Sequence, residues 1–467
     1  MNIKQFYLLI TLCFCTFISY SADDYGFKTD VIGMQEQYLH TNFWLTKIAQ
    51  DKVLMSSAAI SQFNQKLLST HSLVNDPLLV PAQITRQALV DIIATISQLP
   101  TSLRFNLKGK ALTPDDYQQY LLNTNQQVIS SMNDVRYGLI VKRADLRTFP
   151  SDDKVYKSTT DHDLDRFQES AVFPGEAVAI LHVSKDNHWF LVQNYHYIAW
   201  VKRKAVAIGN KEEIKAYHEN KHFMVITGSK VFTNFVPNKP AISELQLDMG
   251  VRLPLAKKKE YSDQLYGQNP YSSYVVKLPV RTSQGKLRFA LALIARSQDV
   301  HHGYLSFTRQ NIIKQAFKFL GERYGWGHDY NGRDCTGFIG EVYKTFGFIM
   351  PRNTGQQGRS QYGDNQFFTQ KTSVKKKMAA LKKLRVGDLL YIPGHVMMFL
   401  GYEKGQPYVI HDVKGLAYFN PKGHFYQGTL NGVSITPLLP LYANKKQSYV
   451  DLLYNIKRLI PAEETLL

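Results

Sequence analysis

Cysteine is nearly missing from this chain. Three thiols occur in 467 residues, and two of them, Cys13 and Cys15, lie inside the first apolar run. Acidic residues are also in deficit, 38 against 56 Lys and Arg, which leaves a formal net charge of +18. No His-Glu-x-x-His pattern is present and the histidines do not fall at ligand spacing, so neither a metal nor another cofactor is expected. Beyond the N-terminus no apolar run approaches the roughly 20 residues that cross a bilayer, which argues against an integral membrane segment. Zinc-finger spacing, a basic zipper and an RNA-binding signature are lacking too. The basic residues are scattered, apart from clusters such as 257–259 and 375–377. Nucleic acid is therefore not the expected partner.

The N-terminus carries Lys4, an apolar run over 6–18, and then the small residues Ser19, Ser21 and Ala22. That is the pattern of a cleaved export signal, assigned to 1–22 with cleavage near Ser21 or Ala22. The mature chain is expected in a periplasm or outside the cell, where an anionic envelope polymer suits its charge. Lipid attachment at Cys13 or Cys15 fits poorly, because Leu12 and Phe14 are bulky where such a site wants small residues. Cleavage leaves Cys335 as the single thiol, so no internal disulfide can form. A lone thiol in an oxidising compartment is either buried and inert or useful.

The surroundings of Cys335 favour use. The preceding loop is rich in turn formers: Gly325, Gly327, Asp329, Asn331 and Gly332. Behind it, Phe338, Ile339, Val342, Tyr343 and Phe346 recur at helical spacing, and Gly347 suits a left-handed cap. Cys335 is thus placed at a helix N-terminus, where partial positive charge favours the thiolate, the nucleophilic form.

The length predicts several domains. Residues 23–135 read as a helical packing domain: apolar residues from Trp44 to Leu68 fall at helix-compatible steps, and Thr113-Pro114 opens a further helix. Residues 136–215 change to short β-rich runs divided by Phe149-Pro150, Pro174-Gly175 and 185–187, a small-barrel pattern. Residues 216–300 repeat that character and are expected to form a second barrel. Residues 301–467 begin with a helix capped by Thr308, continue through the cysteine helix, cross a basic, mobile-looking stretch at 371–383, and end in three strands at 388–392, 395–402 and 408–413. Helix, cysteine helix and then antiparallel strands form an α+β order. The fold class is thus multidomain α+β.

A cysteine nucleophile needs a base in hydrogen-bond reach and a third group to orient it. The domain offers His301, His302, His328, His395, His411 and His424. His395 is the preferred base, because it heads an apolar strand directly after the turn at Pro393-Gly394. His411 lies on the next strand, about 5 Å away across a ladder, and can orient it. Asp412 is the rival orienter, but alternation points it to the other face.

At this point a resemblance emerges. Tyr324-x-Trp326-Gly327, Asp334-Cys335-Thr336-Gly337, Pro351-Arg352, Gly387-Asp388-Leu389, Gly394-His395-Val396 and His411 resemble the NlpC/P60 family of cell-wall cysteine peptidases, with a papain-like catalytic domain. Stretches such as RADLRTFP and YIAWV in the first β-rich segment resemble a bacterial SH3-like domain. With a helical domain and two SH3-like barrels ahead of the catalytic one, the chain is similar to that family's γ-D-glutamyl-diamino-acid endopeptidases. The resemblance implies Cys335 as nucleophile, His395 as base and His411 as orienter. It implies that Tyr324 and Asp334 hold the free amine of an N-terminal L-alanine, with Thr336 and Trp326 counted among the substrate-binding residues. Asp334 has a second reading as a helix cap, and Trp326 as packing for its loop. The implied substrates are peptidoglycan stem peptides or muropeptides, with a monomer as the default. The alternatives are a wall-binding module without catalysis, or an amidase or acyltransferase working on another small amide. Two departures stand out: Thr336 where the family has serine, and His328 where a second glycine follows Trp326-Gly327.

Overall fold

The computed structural model describes residues 26–70 and 73–460; the expected export signal, with Cys13 and Cys15, falls outside the described residues. The chain is mixed α+β and multidomain. No helix among the described residues is long and apolar enough to cross a membrane.

The N-terminal segment holds α1 (Ser57–Thr70), α2 (Arg86–Ile96) and α3 (Pro114–Asn123). Thr113 caps α3 in a reciprocal box with Asp116, satisfying two N–H groups that the first turn leaves free. The segment does not bury its apolar faces in a core of its own. Trp44, Met55, Ile60 and Leu67 enter the core that also holds Cys335 and Phe338. Trp44 packs on Tyr408 with ring centroids 5.5 Å apart, and Val53 pairs with Thr308. Leu89 and Ile93 of α2 instead join Trp200 and Leu191 of the β-rich segment that follows. Helical periodicity announced the apolar faces but not which core each would enter.

That next segment forms one antiparallel seven-stranded sheet: β1 (Arg136–Ile140), β2 (Ala144–Arg147), β3 (Gln168–Val172), β4 (Ala177–Val183), β5 (Trp189–Gln193), β6 (Ile198–Lys202) and β7 (Val206–Gly209), in the order β7-β1-β4-β5-β6-β2-β3. Residues 223–302 are β-rich as well but are divided among separate small sheets. β8 (Phe223–Ile226) lies between β11 (Arg252–Pro254) and β14 (Val300–His302), while β9 (Lys230–Phe232) pairs with β10 (Gln246–Asp248) and β12 (Ser273–Arg281) with β13 (Leu287–Ala295).

The C-terminal part opens with α4 (Arg309–Phe317), capped by Thr308, followed by α5 (Cys335–Lys344), α6 (Thr354–Arg359) and α7 (Val374–Leu381). A six-stranded sheet completes it: β15 (Asp364–Phe367), β16 (Leu389–Ile392), β17 (His395–Glu403), β18 (Gln406–Phe419), β19 (Phe425–Pro437) and β20 (Asn455–Arg458), in the order β15-β20-β16-β17-β18-β19. Two expectations need correcting here. The stretch 371–383 is not loose, because α7 buries Ala380 and Leu381 against Leu390 and Met397. The sheet also has three strands beyond the three expected; β19 was hidden by its polar, glycine-containing sequence, FYQGTLNGVSITP.

Candidate active site

The cysteine loop is wound through positive φ at Gly327, His328, Tyr330 and Asn331, a run of left-handed residues that glycine alone adopts freely. It is held from outside. Arg143, just before β2, donates to the carbonyls of His328 (2.8 Å) and Gly332 (3.0 Å), and Gln168 of β3 donates to the carbonyl of Gly327 (2.8 Å). Trp326 Nε1 returns a bond to the Gln168 carbonyl at 3.1 Å, and Lys154 pairs with Asp329. The β-rich segment therefore clamps the loop that sets up Cys335.

Asp334 is the N-cap of α5, its Oδ1 accepting from the N–H of Gly337 at 2.8 Å. Oδ2 accepts from the N–H of Gly327 at 3.0 Å. Arg352 closes the pair from the other side, with Nη1 3.0 Å from Oδ1 and Nη2 2.7 Å from Oδ2. Burial works to raise the Asp334 pKa, but the Arg352 guanidinium and these hydrogen bonds win and hold the carboxyl well below the usual range. Thr336 Oγ1 donates to Asp334 and accepts from Arg352 at 2.6 Å, and Arg352 Nε reaches Ser170 of β3. The polar atoms of Asp334 and Thr336 are thus engaged within the protein. Tyr324 is 8% exposed, and its hydroxyl, its pKa raised by burial and then by the nearby Cys335 and Asp334, has no hydrogen-bond partner among the described residues.

His328 sits inside this network. Its Nδ1 accepts from Arg352 Nη2 at 3.1 Å, so the ring proton lies on Nε2, which donates to Glu341 Oε1 at 3.1 Å. Glu341 also binds Arg333, which reaches Asp248 of β10 at 2.7 Å. Burial and the nearby Arg352 hold His328 well below the ordinary histidine range, that is, neutral.

Cys335 is the first residue of α5 and is 5% exposed. Its Sγ lies 3.8 Å from the hydroxyl of Thr354 at the start of α6, and the N–H of Val396 on β17 points to it. Burial, then the Asp334 carboxylate, push the thiol up to about 12, against the pull of Val396 and Thr354. The helix end alone does not produce a resting thiolate here, because the desolvation it works against is larger.

His395 opens β17 one residue after Gly394, and its Nε2 lies 2.8 Å from His411 Nδ1 on β18. His411 Nε2 is 3.0 Å from the hydroxyl of Thr436 on β19. Burial lowers His395 to about 4 and His411 well below its ordinary value, so both rings are neutral near pH 7. The structure therefore joins His395, His411 and Thr436 in one chain of hydrogen bonds and leaves His395 Nδ1 outside it. Asp412 takes the other face of β18, fully buried, with neither carboxylate oxygen hydrogen-bonded among the described residues. His301, His302 and His424 are exposed and lie outside this constellation. Sequence reasoning assigned no part to Arg352, Thr354, Glu341 or Thr436. The pairing of Pro351-Arg352 with the cysteine motif was the one available signal.

An open cleft of about 790 Å³ adjoins the site, with Arg104, Arg166, Glu169, Tyr197, Asn353 and Gln356 on its walls. The Glu169 oxygens are taken by the hydroxyls of Thr148 and Tyr197, both at 2.5 Å.

Comparison with known proteins places families on two stretches. The NlpC/P60 family matches residues 321–434, and an SH3 domain of SH3b1 type matches residues 153–202. The γ-D-glutamyl-L-lysine dipeptidyl-peptidase of Bacillus subtilis (strain 168) is 30% identical over 105 residues, 22% of this chain and 28% of that protein. The match thus spans well under half the length of that curated relative. Among solved structures, an NlpC/P60 endopeptidase from Photobacterium damselae subsp. piscicida superposes with a TM-score of 0.70 over 90% of this chain and 97% of its own, at 16% identity. An NlpC/P60 family protein from Bacillus cereus ATCC 10987 gives 0.47 over 70% and 100%, at 19% identity.

Proposed function

From a chain that carries an NlpC/P60 domain over residues 321–434 and an SH3 domain over residues 153–202, we propose an exported cysteine peptidase that hydrolyses the amide between γ-D-glutamate and a diamino acid in peptidoglycan stem peptides. The observation that carries this reading is the His395–His411–Thr436 chain of hydrogen bonds at the head of β17, whose second residue, Val396, directs its N–H at the sulfur of a cysteine that begins a helix. In this reading Cys335 is the nucleophile, His395 the base and His411 the orienting group.

In the proposed reaction His395 Nδ1 takes the Cys335 proton as Sγ attacks the glutamyl γ-carbonyl. The resting pair is thiol and neutral imidazole, so proton transfer accompanies attack. The N–H of Cys335 at the start of α5 supports the oxyanion. The imidazolium then gives its proton to the departing amine of the diamino acid, leaving an S-acyl cysteine. Water, deprotonated by His395, attacks the thioester. The acid product leaves and the thiol takes back its proton. His411 fixes the His395 ring and shares the charge formed on it.

The finer part of the reading is a requirement for a free N-terminal L-alanine. Tyr324 offers the unspent hydroxyl. Asp334 offers charge, but an ammonium would have to share oxygens that Arg352 and two N–H groups already occupy. Thr336 and Trp326 serve by fixing the helix and the loop. The test is mass spectrometry of L-Ala-γ-D-Glu-diaminopimelate incubated with the protein, beside a copy acetylated on the alanine amine. Release of L-Ala-D-Glu from the free peptide alone supports the whole reading. Cleavage of both keeps the nucleophile and removes the amine requirement, and cleavage of neither refutes the reaction.

A further inference from the structure

We propose that Arg166 binds a substrate carboxylate at the mouth of the cleft, and so makes the protein selective for acidic over amidated stem peptides. The inference rests on Cys335 being the nucleophile of an amide-cleaving enzyme.

Arg166 is held at the edge of the cysteine loop. Its guanidinium stacks over the Trp326 ring, 5.0 Å from the centroid, two residues beyond Tyr324. Trp326 is itself fixed by its bond to the Gln168 carbonyl, so the cation has a firm platform. Its hydrogen-bonding capacity is unspent: Arg166 Nε is buried and meets no acceptor among the described residues. The carboxylates that could neutralise it are engaged elsewhere. Asp165 pairs with Arg147 and accepts from the N–H groups of Val155 and Phe167. Asp161 pairs with Lys414. Glu169, on the same cleft wall, is taken by Thr148 and Tyr197. A second cation, Arg104, lines the cleft and spends its Nη1 only on Ser102 and the neighbouring Leu103 carbonyl. Burial and this like charge both disfavour the protonated Arg166, a cost that a bound anion would reverse.

The cleft also reaches towards the cysteine. Asn353 and Gln356 form part of its wall, and Thr354 between them touches the Cys335 sulfur. A planar fork of N–H donors beside a scissile amide suits a carboxylate held in two-point contact. The proposed substrate has two such groups near the reacting bond: the free α-carboxylate of the γ-linked glutamate and the carboxylate on the carbon that bears the leaving amine of the diamino acid. Amidation removes the charge of either with little change of shape.

The experiment measures kcat/KM of the full chain for the acidic tripeptide, a copy amidated on the glutamyl α-carboxylate, and a copy amidated on the diamino acid, with wild type, Arg166→Lys and Arg166→Gln. Wild type should lose roughly 10- to 100-fold on one of the two amidated peptides, the scale of a charge-assisted bond. That peptide identifies the carboxylate. Arg166→Gln should lose a similar factor on the acidic peptide and nothing further on that amidated one, with Arg166→Lys between. An Arg166→Gln loss that is equal on all three peptides, or a wild type that cuts all three alike, overturns the inference. If wild type cuts none, the enzymatic reading fails by itself. Calorimetry of Cys335→Ala with the acidic and amidated peptides then decides on Arg166, and equal affinities refute the site.

Discussion

A Cβ placed on Gly337 would stand 2.7 Å from both Cε1 and Nε2 of His328. The imidazole therefore lies against the first turn of the nucleophile helix, in space that any other residue at 337 would fill. The two positions act as a pair. His328 fills the space beside the helix, and Gly337 is the room it requires.

The pairing predicts a specific pattern of stabilities. Gly337→Ala should destabilise the protein by about 1–3 kcal/mol, the range of an overpacked core. His328→Gly leaves Glu341 and Arg352 one partner short, yet it should relieve part of the Gly337→Ala penalty. Denaturant melts of the two single variants and the double variant measure the coupling. Strict additivity would show that ring and helix do not meet as described.

Arg352 and Asp334 should be inseparable in the same sense. Arg352→Met leaves a buried carboxylate whose low pKa depended on that guanidinium. The expected loss is about 3–5 kcal/mol. Adding Asp334→Asn removes the stranded charge and should recover a good part of it. Arg352→Lys should not, since a single ammonium cannot reach both Asp334 oxygens, Thr336 and Ser170 together. Thermal melts at one pH decide between these outcomes.

What the sequence could reveal depended on range. The helix from Cys335 and its Asp334 cap were legible because both are local: an apolar repeat of helical period, a short acidic residue before it, and a glycine with φ +94° at 347. The period-two alternation that turned Asp412 away from His395 was local as well, and in the structure it is His411 that bonds to His395. Arg352, Glu341 and Thr436 were not legible as parts of the site. Each acquires its partner from another element, and no spacing rule relates an arginine before α6 to a serine on β3. Trp44 shows the same limit. Its helical stripe says that it is buried, not that Tyr408 is its neighbour.

Asp412 gives a pH signature. Burial raises its pKa far above the ordinary carboxylate range, so the folded protein holds this proton more tightly than the unfolded chain. The stability it contributes is complete at low pH and falls as pH rises towards the folded pKa. Asp412→Asn keeps the shape and cannot ionise. Its melting temperature should match wild type near pH 4 and exceed it increasingly towards pH 8, the difference growing by about 1.4 kcal/mol per pH unit for as long as the folded carboxyl stays protonated. A constant difference at every pH would mean that Asp412 keeps one charge state throughout.

The resting state of Cys335 and His395 sets the last expectation. With the thiol pushed up to about 12 and the imidazole down to about 4, the free protein holds a neutral pair across the physiological range. His395 is a base only when unprotonated, so kcat/KM should fall on the acid side near its lowered value and stay flat through neutrality. Alkylation of Cys335 by iodoacetamide without substrate should be slow at pH 7 and rise only in strong alkali. His395→Ala should lose roughly 10²- to 10⁴-fold in kcat, the share of a general base. His411→Gln should lose less while moving the acid limb upward, because His395 without its partner is freer to take up water and charge. An alkylation rate that titrates near neutrality would reveal a thiolate–imidazolium pair at rest instead. Attack would then begin from a charge already separated, and the role of His395 would shift from base to counter-ion.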